Sequence, residues 1–325
     1  MSYSIRRFSF NQDEAEWNAF VNRADNSTFL FNRGFMDYHK DRFQDHSLMI
    51  YHNNKIVACL PANECDGRLY SHQGLTYGGL IIEKKQKLST YIQVFSEVFS
   101  YYYENNFRII TYKAFPRFYN QLQTDEIEYC LFIANATLIR RDTALAIHYK
   151  SKIPYSKNII RDIKKAKKNE ITVTESSDFK LFWNEILTPN LQKRFGVNPV
   201  HSLEEILMLK KRFENIRLFI ALNKEGNILA GIVFFVTDQV AHCQYISASE
   251  EGRYSGALNL LFATIIDQNP FEKDFFDFGI ANEDNGKSLN KGLLVWKEKM
   301  GGRTYSHDFY EIETKNYQLL NEILA

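Results

Sequence analysis

The 325-residue chain lacks the motifs of hydrolytic, nucleotide-cleaving and metal chemistry: G-x-S-x-G, H-E-x-x-H, Walker A and paired metal-ligand spacings are all absent. Its cysteines are four, Cys59, Cys65, Cys130 and Cys243, with no CxxC and no histidine at metal spacing. That excludes a zinc ribbon or a disulfide framework and leaves buried thiols, three of them inside apolar strand-like runs. No metal is expected. Net charge is nearly absent as well, 40 Lys and Arg against 39 Asp and Glu, so no global field recruits DNA or a membrane. No apolar run reaches the roughly 18 residues that span a bilayer, and the N-terminus lacks the apolar stretch of a signal peptide. The expectation is a cytoplasmic protein without a transmembrane segment.

What is present is a globular composition, 45% hydrophobic and 15% aromatic. The length exceeds what one core usually serves, and two domains of about 150 residues are expected. Hydrophobic periodicity gives two similar halves, 1–150 and 151–325. In the first, residues 17–43 read as two helices with Asp13 as an N-cap. Strands at 47–51 and 56–60 flank Asn53 and Asn54, which tolerate positive φ. A strand at 79–82, a helix over 87–103 and a strand at 107–113 follow, then antiparallel strands at 128–132 and 144–149. In the second half, helices over 177–187 and 202–213, each opening on a serine cap, precede strands at 216–222 and 228–235. The same element order occurs twice.

The most informative pattern is at 240–301. A strand over 240–248 enters the polar turn Ser249–Gly256 and leaves through an apolar helix from Ala257 to Ile266. A second strand, 275–279, leads through a polar loop with Asn282 and Glu283 into a helix carrying Trp296 and Lys297. A strand that turns through glycine into a helix N-terminus leaves free N–H groups at a positive dipole end, which suits a phosphate-bearing ligand. His242 and Tyr245 fall on opposite faces of their strand; His242 reads as structural and Tyr245 as a substrate contact.

Between the halves, residues 150–168 hold eight Lys or Arg against Asp162 alone. After Pro154 the segment reads as a helix with Lys157, Arg161, Lys164, Lys165 and Lys168 on one face. Two readings stand: a solvated linker helix, or a phosphate-holding wall of the cleft between the halves, built from Arg161, Lys164 and Lys168.

These residues resemble the GNAT acyltransferase fold, in which a strand, a phosphate-binding turn and a helix receive acyl-CoA. Two such domains joined by a basic segment, with Asp277-Phe-Gly279, Leu289 to Leu293 and Trp296-Lys297 before Gly301, resemble the FemAB group and its BioF2-like relatives. The resemblance implies an α/β protein of two tandem GNAT-like domains, with mixed, mostly antiparallel sheets flanked by helices. The first domain would be structural or bind the acceptor; the second would bind the donor and be catalytic. It also implies an acyltransferase acting on an amine of a sugar or cell-envelope precursor, with acyl-CoA, acetyl-CoA in particular, as donor. Two alternatives remain: a Fem-like aminoacyltransferase using aminoacyl-tRNA on a peptidoglycan precursor, and a non-catalytic glycan- or nucleic-acid-binding module. Leu258 stands where the GNAT turn carries a small residue, and Met300 replaces an aromatic residue before Gly301.

On this reading Arg253, Ser255, Gly256 and Ala257 bind the donor. Lys297 stabilises the oxyanion or a donor phosphate, and Glu283 or Asp277 takes the proton. Tyr245 contacts substrate. In the first half, the glycine-rich stretch 71–79 opens no glycine turn into a helix, so Tyr77, Tyr112 and Lys113 are assigned only as acceptor-binding residues facing the cleft.

Overall fold

The computed structural model describes residues 3–325, which divide into two compact units: residues up to 142 together with 306–325, and residues 143–305. The expected boundary at 150 is thus displaced, and the C-terminal twenty residues return to the first unit.

The chain of the first unit runs β1 (Tyr3–Arg7), α1 (Glu14–Val21), α2 (Arg33–Met36), β2 (Gln44–Asp45), β3 (Leu48–His52), β4 (Lys55–Leu60), β5 (Asn63–Cys65), β6 (Arg68–Tyr70), β7 (Ile81–Ile82), α3 (Leu88–Glu104), β8 (Ile109–Lys113), α4 (Glu126–Ile133) and β9 (Thr137–His148). Strands β1, β3, β4 and β7 form an antiparallel sheet in that order. The β3–β4 turn is tight because Asn53 and Asn54 both adopt positive φ, 50° and 61°. Helix α3 buries Ile92, Phe95, Phe99 and Tyr102, a stripe at spacings of three and four residues, against these strands.

Three expectations for this unit fail. Residues 17–43 hold only short helical pieces, because Thr28 and Asn32 turn their side chains onto the N–H groups of Leu30 and Gly34 and restart the chain. Asp13 stands at the N-cap position of α1, but its carboxylate accepts from Ser9 N–H and pairs with Arg6 instead of capping. Residues 128–132, expected as a strand, belong to α4, whose first turn carries Glu126 and Glu128 at the positive end of the dipole. Cys130 is therefore a buried helical thiol; Cys59 and Cys243 are buried in strands and Cys65 is only partly covered.

The chain continues through α5 (Lys157–Lys168), β10 (Thr172–Ser176), α6 (Phe179–Phe182), α7 (Thr188–Phe195), α8 (Leu203–Arg212), β11 (Ile216–Leu222), β12 (Ile228–Val236), β13 (Val240–Ala248), α9 (Glu250–Ser255), α10 (Ala257–Gln268), β14 (Phe275–Ile280), the short hairpin β15 (Asn282–Glu283) and β16 (Ser288–Leu289), α11 (Lys291–Lys299), β17 (Arg303–Glu313) and α12 (Tyr317–Glu322). In the second unit the strand order is β10-β11-β12-β13-β14-β9, antiparallel except for β13 with β14. Ser202 caps α8 in a reciprocal box with Glu205, as expected. The other expected serine cap, Ser177, yields to Asp178, which accepts from Leu181 N–H.

The two halves of the sequence exchange their last strands. Residues 144–148 of β9 pair with β14 in the second unit, while 309–313 of β17 pair with β8 in the first. The boundary shift follows from this exchange. Helix α5 is an integral part of the second unit: Ile159 and Ala166 are buried in its core, and Lys157, Arg161, Lys164 and Lys168 are exposed on the opposite side.

Two glycines fix how α9 and α10 seat. Gly252 packs against the carbonyl of Leu229, and Gly256, at φ +83°, against that of Asp162 in α5. Gly256→Ala should therefore cost left-handed strain of about 1–2 kcal/mol plus a clash with backbone that cannot swing aside. Gly196→Ala is the control, since Gly196 has φ +67° but open space around it. Denaturant midpoints should fall more for Gly256→Ala; equal losses would remove the packing argument.

His72 generates a second prediction. It is 4% exposed, and burial, then the nearby His39, Arg33 and Lys113, push its pKa well below the usual 6.5. Folded His72 therefore stays neutral where the unfolded chain binds a proton, so stability is lost as pH falls below 6.5, by at most about 1.4 kcal/mol per pH unit for this group. Asn tolerates the positive φ of 76° found here. Urea unfolding from pH 7.5 to 5 should show a shallower loss for His72→Asn; parallel curves would refute the assignment.

Candidate active site

The site grows from the way two parallel strands part. Strands β13 and β14 pair only through Val240–Phe275, Ala241–Phe276 and His242–Asp277. Beyond that point the Asp277 carboxylate accepts the N–H of Gly279 at 2.7 Å, Gly279 turns to φ +74°, and the pairing of β14 with β9 shifts register. Strand β13 runs on to Ala248 without β14 beside it. Its unaccompanied end, Ile246 to Ala248, lines a cavity of about 620 Å³ inside the second unit.

Four helices complete the cavity. Ser249 caps α9 by accepting from Gly252 N–H, so the expected polar turn is a short helix ending at Gly256. Helix α10 then starts with no side chain on its N-terminus, and Leu258 and Asn259 of its first turn face the cavity. Arg253 also lines it, its Nη1 donating to Ala248 O at 2.6 Å. Helix α7 brings Arg194 and Phe195 to the rim after a π-turn at Trp183–Leu187, and Asn190 bonds Ser247 and the Ala248 carbonyl. Such turns add one residue and re-aim the rest of the helix. Helix α11, capped by Asn290, supplies Leu293, Trp296 and Lys297. Trp296 donates to Asn259, and Asn259 donates to Asp162 of α5.

Lys297 is 2% exposed, and its Nζ donates to the carbonyls of Gly279 at 2.9 Å and Ile280 at 2.7 Å, the groups freed where β14 leaves the sheet. An ammonium has three donors, so one N–H remains for the cavity. Burial pushes its pKa down to about 8, partly offset by Asp277 and Cys243. A snorkelling surface lysine this is not.

Asp277 is 2% exposed, with one oxygen on Gly279 N–H and the other 2.8 Å from His242 Nδ1. It is an internal anchor, out of reach of an incoming amine. Glu283 is exposed on the β15–β16 hairpin, where it accepts from Asn290 Nδ2. Of the expected donor residues, Arg253 and Gly256 line the cavity; Ala257 is fully buried in the core and Ser255 faces a second hollow of about 410 Å³ with Lys168. Arg161 and Lys164 line neither cavity.

Three aromatic expectations are corrected. An extra residue in β13, Gln244, breaks the strand's alternation. Tyr245 and Phe235 both contact the His201 ring, and His242 pairs with Phe235, so His242 and Tyr245 share a face. The Tyr245 hydroxyl accepts the N–H of His201, inside the core instead of against a substrate. Tyr77 and Tyr112 are 2% and 1% exposed, their hydroxyls on Thr28 Oγ1 and Leu80 N–H. Lys113 is largely covered, its Nζ donating to the carbonyls of His72 and Leu75. Arg194, Phe195 and Asn259 were missed. Asn259, a polar residue near the start of an otherwise apolar helix, was the one readable signal among them.

Among the described residues no group of three or more His, Cys, Asp or Glu is placed to hold a metal, and no helix is long and apolar enough to cross a membrane.

Neither known family models nor curated proteins match this sequence. Solved structures do. FemX superposes with a TM-score of 0.65 at 11% identity, over 97% of this chain and 99% of that one. L-PGS from Bacillus licheniformis gives 0.61 at 12% identity, over 97% and 94%, and a conserved protein of unknown function from Bacteroides thetaiotaomicron gives 0.60 at 11%, over 95% and 100%. The chain therefore shares the fold of FemX and L-PGS, as its resemblance to the FemAB group implies.

Proposed function

We propose that this protein is an acyltransferase that moves an acyl group from a phosphate-bearing donor, acyl-CoA, to an amine on a sugar or cell-envelope precursor. The observation that carries the reading is the buried Lys297 amine, with one N–H to spare, in the same cavity as the uncapped N-terminus of α10. The helix end and Arg194 and Arg253 suit the donor's phosphates, while Leu258, Leu293 and Trp296 give its arm an apolar wall. The acyl carbonyl reaches the gap where β13 and β14 part. Attack by the amine puts negative charge on that oxygen, and the third Lys297 N–H stabilises it.

A second reading, an aminoacyl ester of tRNA as donor, draws on Leu258. A bulky residue on the first turn of α10 restricts backbone approach to a pyrophosphate. The exposed face of α5 would then hold the nucleic acid. Arg161, Lys164 and Lys168 changed together to Ala should leave CoA binding unaltered and, on this second reading, weaken tRNA binding steeply while flattening its salt dependence. A rise in thermal midpoint with acetyl-CoA supports the first donor; tRNA binding without such a rise supports the second.

The role of Lys297 is tested by Lys297→Met. The change leaves the Gly279 and Ile280 carbonyls without a donor, at a cost of about 1–3 kcal/mol each. Turnover by the folded variant should drop about a hundredfold, with donor Kd changed far less. Since the charged amine is the active form and its pKa is about 8, wild-type kcat/KM should also decline as pH rises through 8. A defect confined to donor Kd would reassign the lysine to phosphate binding, and a normal enzyme would remove it from the site.

A further inference from the structure

We propose that His242 is the general base of the transfer, its Nε2 taking the proton from the attacking amine, with Asp277 as the residue that positions it. The inference rests on the acyltransferase reading and replaces Asp277 and Glu283 as proton acceptors.

His242 and Asp277 are the last pair before β13 and β14 part, so they stand at the edge of the gap. They also stand on the side of the sheet opposite the donor's helix. Asp277 alternates with Phe276 and Phe278, and His242 with Ala241 and Cys243, all four of which lie in the core that includes Leu261 and Phe262 of α10. Lys297 comes from that core side and reaches the carbonyls of Gly279 and Ile280. A carbonyl held in the gap therefore has a cation on one side and an imidazole on the other. That is the arrangement needed when the nucleophile approaches from the face the donor does not occupy.

The tautomer is set by the partner. The Asp277 carboxylate only accepts, so the proton of the neutral ring sits on Nδ1 and the lone pair on Nε2. The other Asp277 oxygen is fixed by Gly279 N–H, which locks the carboxylate plane. Gly279 leaves the ring accessible: a Cβ there would lie 3.6 Å from His242 Cε1, and the His242 side chain keeps 13% of its surface exposed. One glycine thus faces the imidazole with its bare Cα and holds the Lys297 amine with its carbonyl.

In the step itself, the neutral amine attacks the acyl carbon, the C–N bond forms, and the carbonyl π electrons move onto oxygen beside Lys297. The nitrogen's excess proton passes to His242 Nε2, giving an imidazolium beside the Asp277 carboxylate. Collapse breaks the bond to the thiolate, which takes that proton as it leaves, so thioester and amine become amide and thiol.

The test uses the full chain, acetyl-CoA and aminoacyl-tRNA as donor probes, and glucosamine as the amine. His242→Gln should lower kcat by about 10²–10⁴ while leaving the donor KM nearly unchanged. Asp277→Asn presents an amide donor to Nδ1 and so moves the ring proton to Nε2; it should lower kcat comparably, and ring nitrogen spectra should show the changed tautomer. A merely structural role would move KM and stability without that spectral change. Unimpaired turnover by folded His242→Gln, or a wild-type neutral ring protonated at Nε2, would overturn the base while the transferase reading stands. If His242→Gln does not fold, the wild-type spectra and Asp277→Asn decide. Absence of transfer from either donor by the wild type would sink the transferase reading, and the base with it.

Discussion

The Asp277 carboxylate carries the constraint on which the second unit depends. With one oxygen on the N–H of Gly279 and the other on His242, it ties the end of one strand to its neighbour at the position where the two separate. Burying a carboxylate is unfavourable unless its lone pairs are taken, and both oxygens here are engaged. The turn at Gly279 that results has two consequences: the end of β13 loses its partner, and the carbonyls of Gly279 and Ile280 need a donor from elsewhere. Lys297 supplies that donor. A gap, a cation and an oriented imidazole therefore arise from one buried charge.

The first unit shows a separation between strands without that charge. Strand β7 ends the sheet β1-β3-β4-β7, and after helix α3 the chain returns as β8 in a different sheet, between β17 and β6. Here side chains occupy the separation. Asn26 zips onto β7 by donating to Leu80 O and accepting from Ile82 N–H, and the Tyr112 hydroxyl takes Leu80 N–H. Gly79 is required because a Cβ would strike that hydroxyl. The Asn26 amide and the Tyr77 and Tyr112 hydroxyls at this place already have partners within the unit, which is why Tyr77 and Tyr112 belong to a core.

Much of the second unit was legible because its signals are local. Strands 216–222 and 240–248 and the cap at Ser202 need only alternation and a hydroxyl three residues ahead of an N–H. The strand–helix–strand pattern at 240–279 and Lys297 beside Trp296 were readable for the same reason. Local signals also misled: the run around Cys130 is apolar enough for strand or helix, and only the acidic first turn favours the helix. The exchange of β9 and β17 could not be read, because partner choice in a sheet is set by long-range packing. Nor could the extra residue at Gln244, which reverses the face of every side chain after it and turned Tyr245 inward. His242 was set aside for a related reason. A histidine on an apolar strand gains meaning only from its neighbour in space, 35 positions away.

The two units share a device that clarifies what makes one of them chemical. Lys113 and Lys297 each place a covered amine on two backbone carbonyls, and burial lowers both to about 8. Geometry and charge state are alike, so neither separates structural from reactive lysine. The surroundings do. Lys113 clamps His72 and Leu75 within a loop whose glycines are pressed against neighbouring atoms, Gly74 on His39 and Gly78 on the Ser71 carbonyl, and it faces Arg140 as well as Asp142. Lys297 borders a cavity and faces Asp277, which keeps its charge favourable while one N–H stays uncommitted. A buried cation enclosed by its own loop is a clamp. The same cation bordering a cavity, at the edge of a gap between strands, can stabilise charge that exists only while a bond is being made.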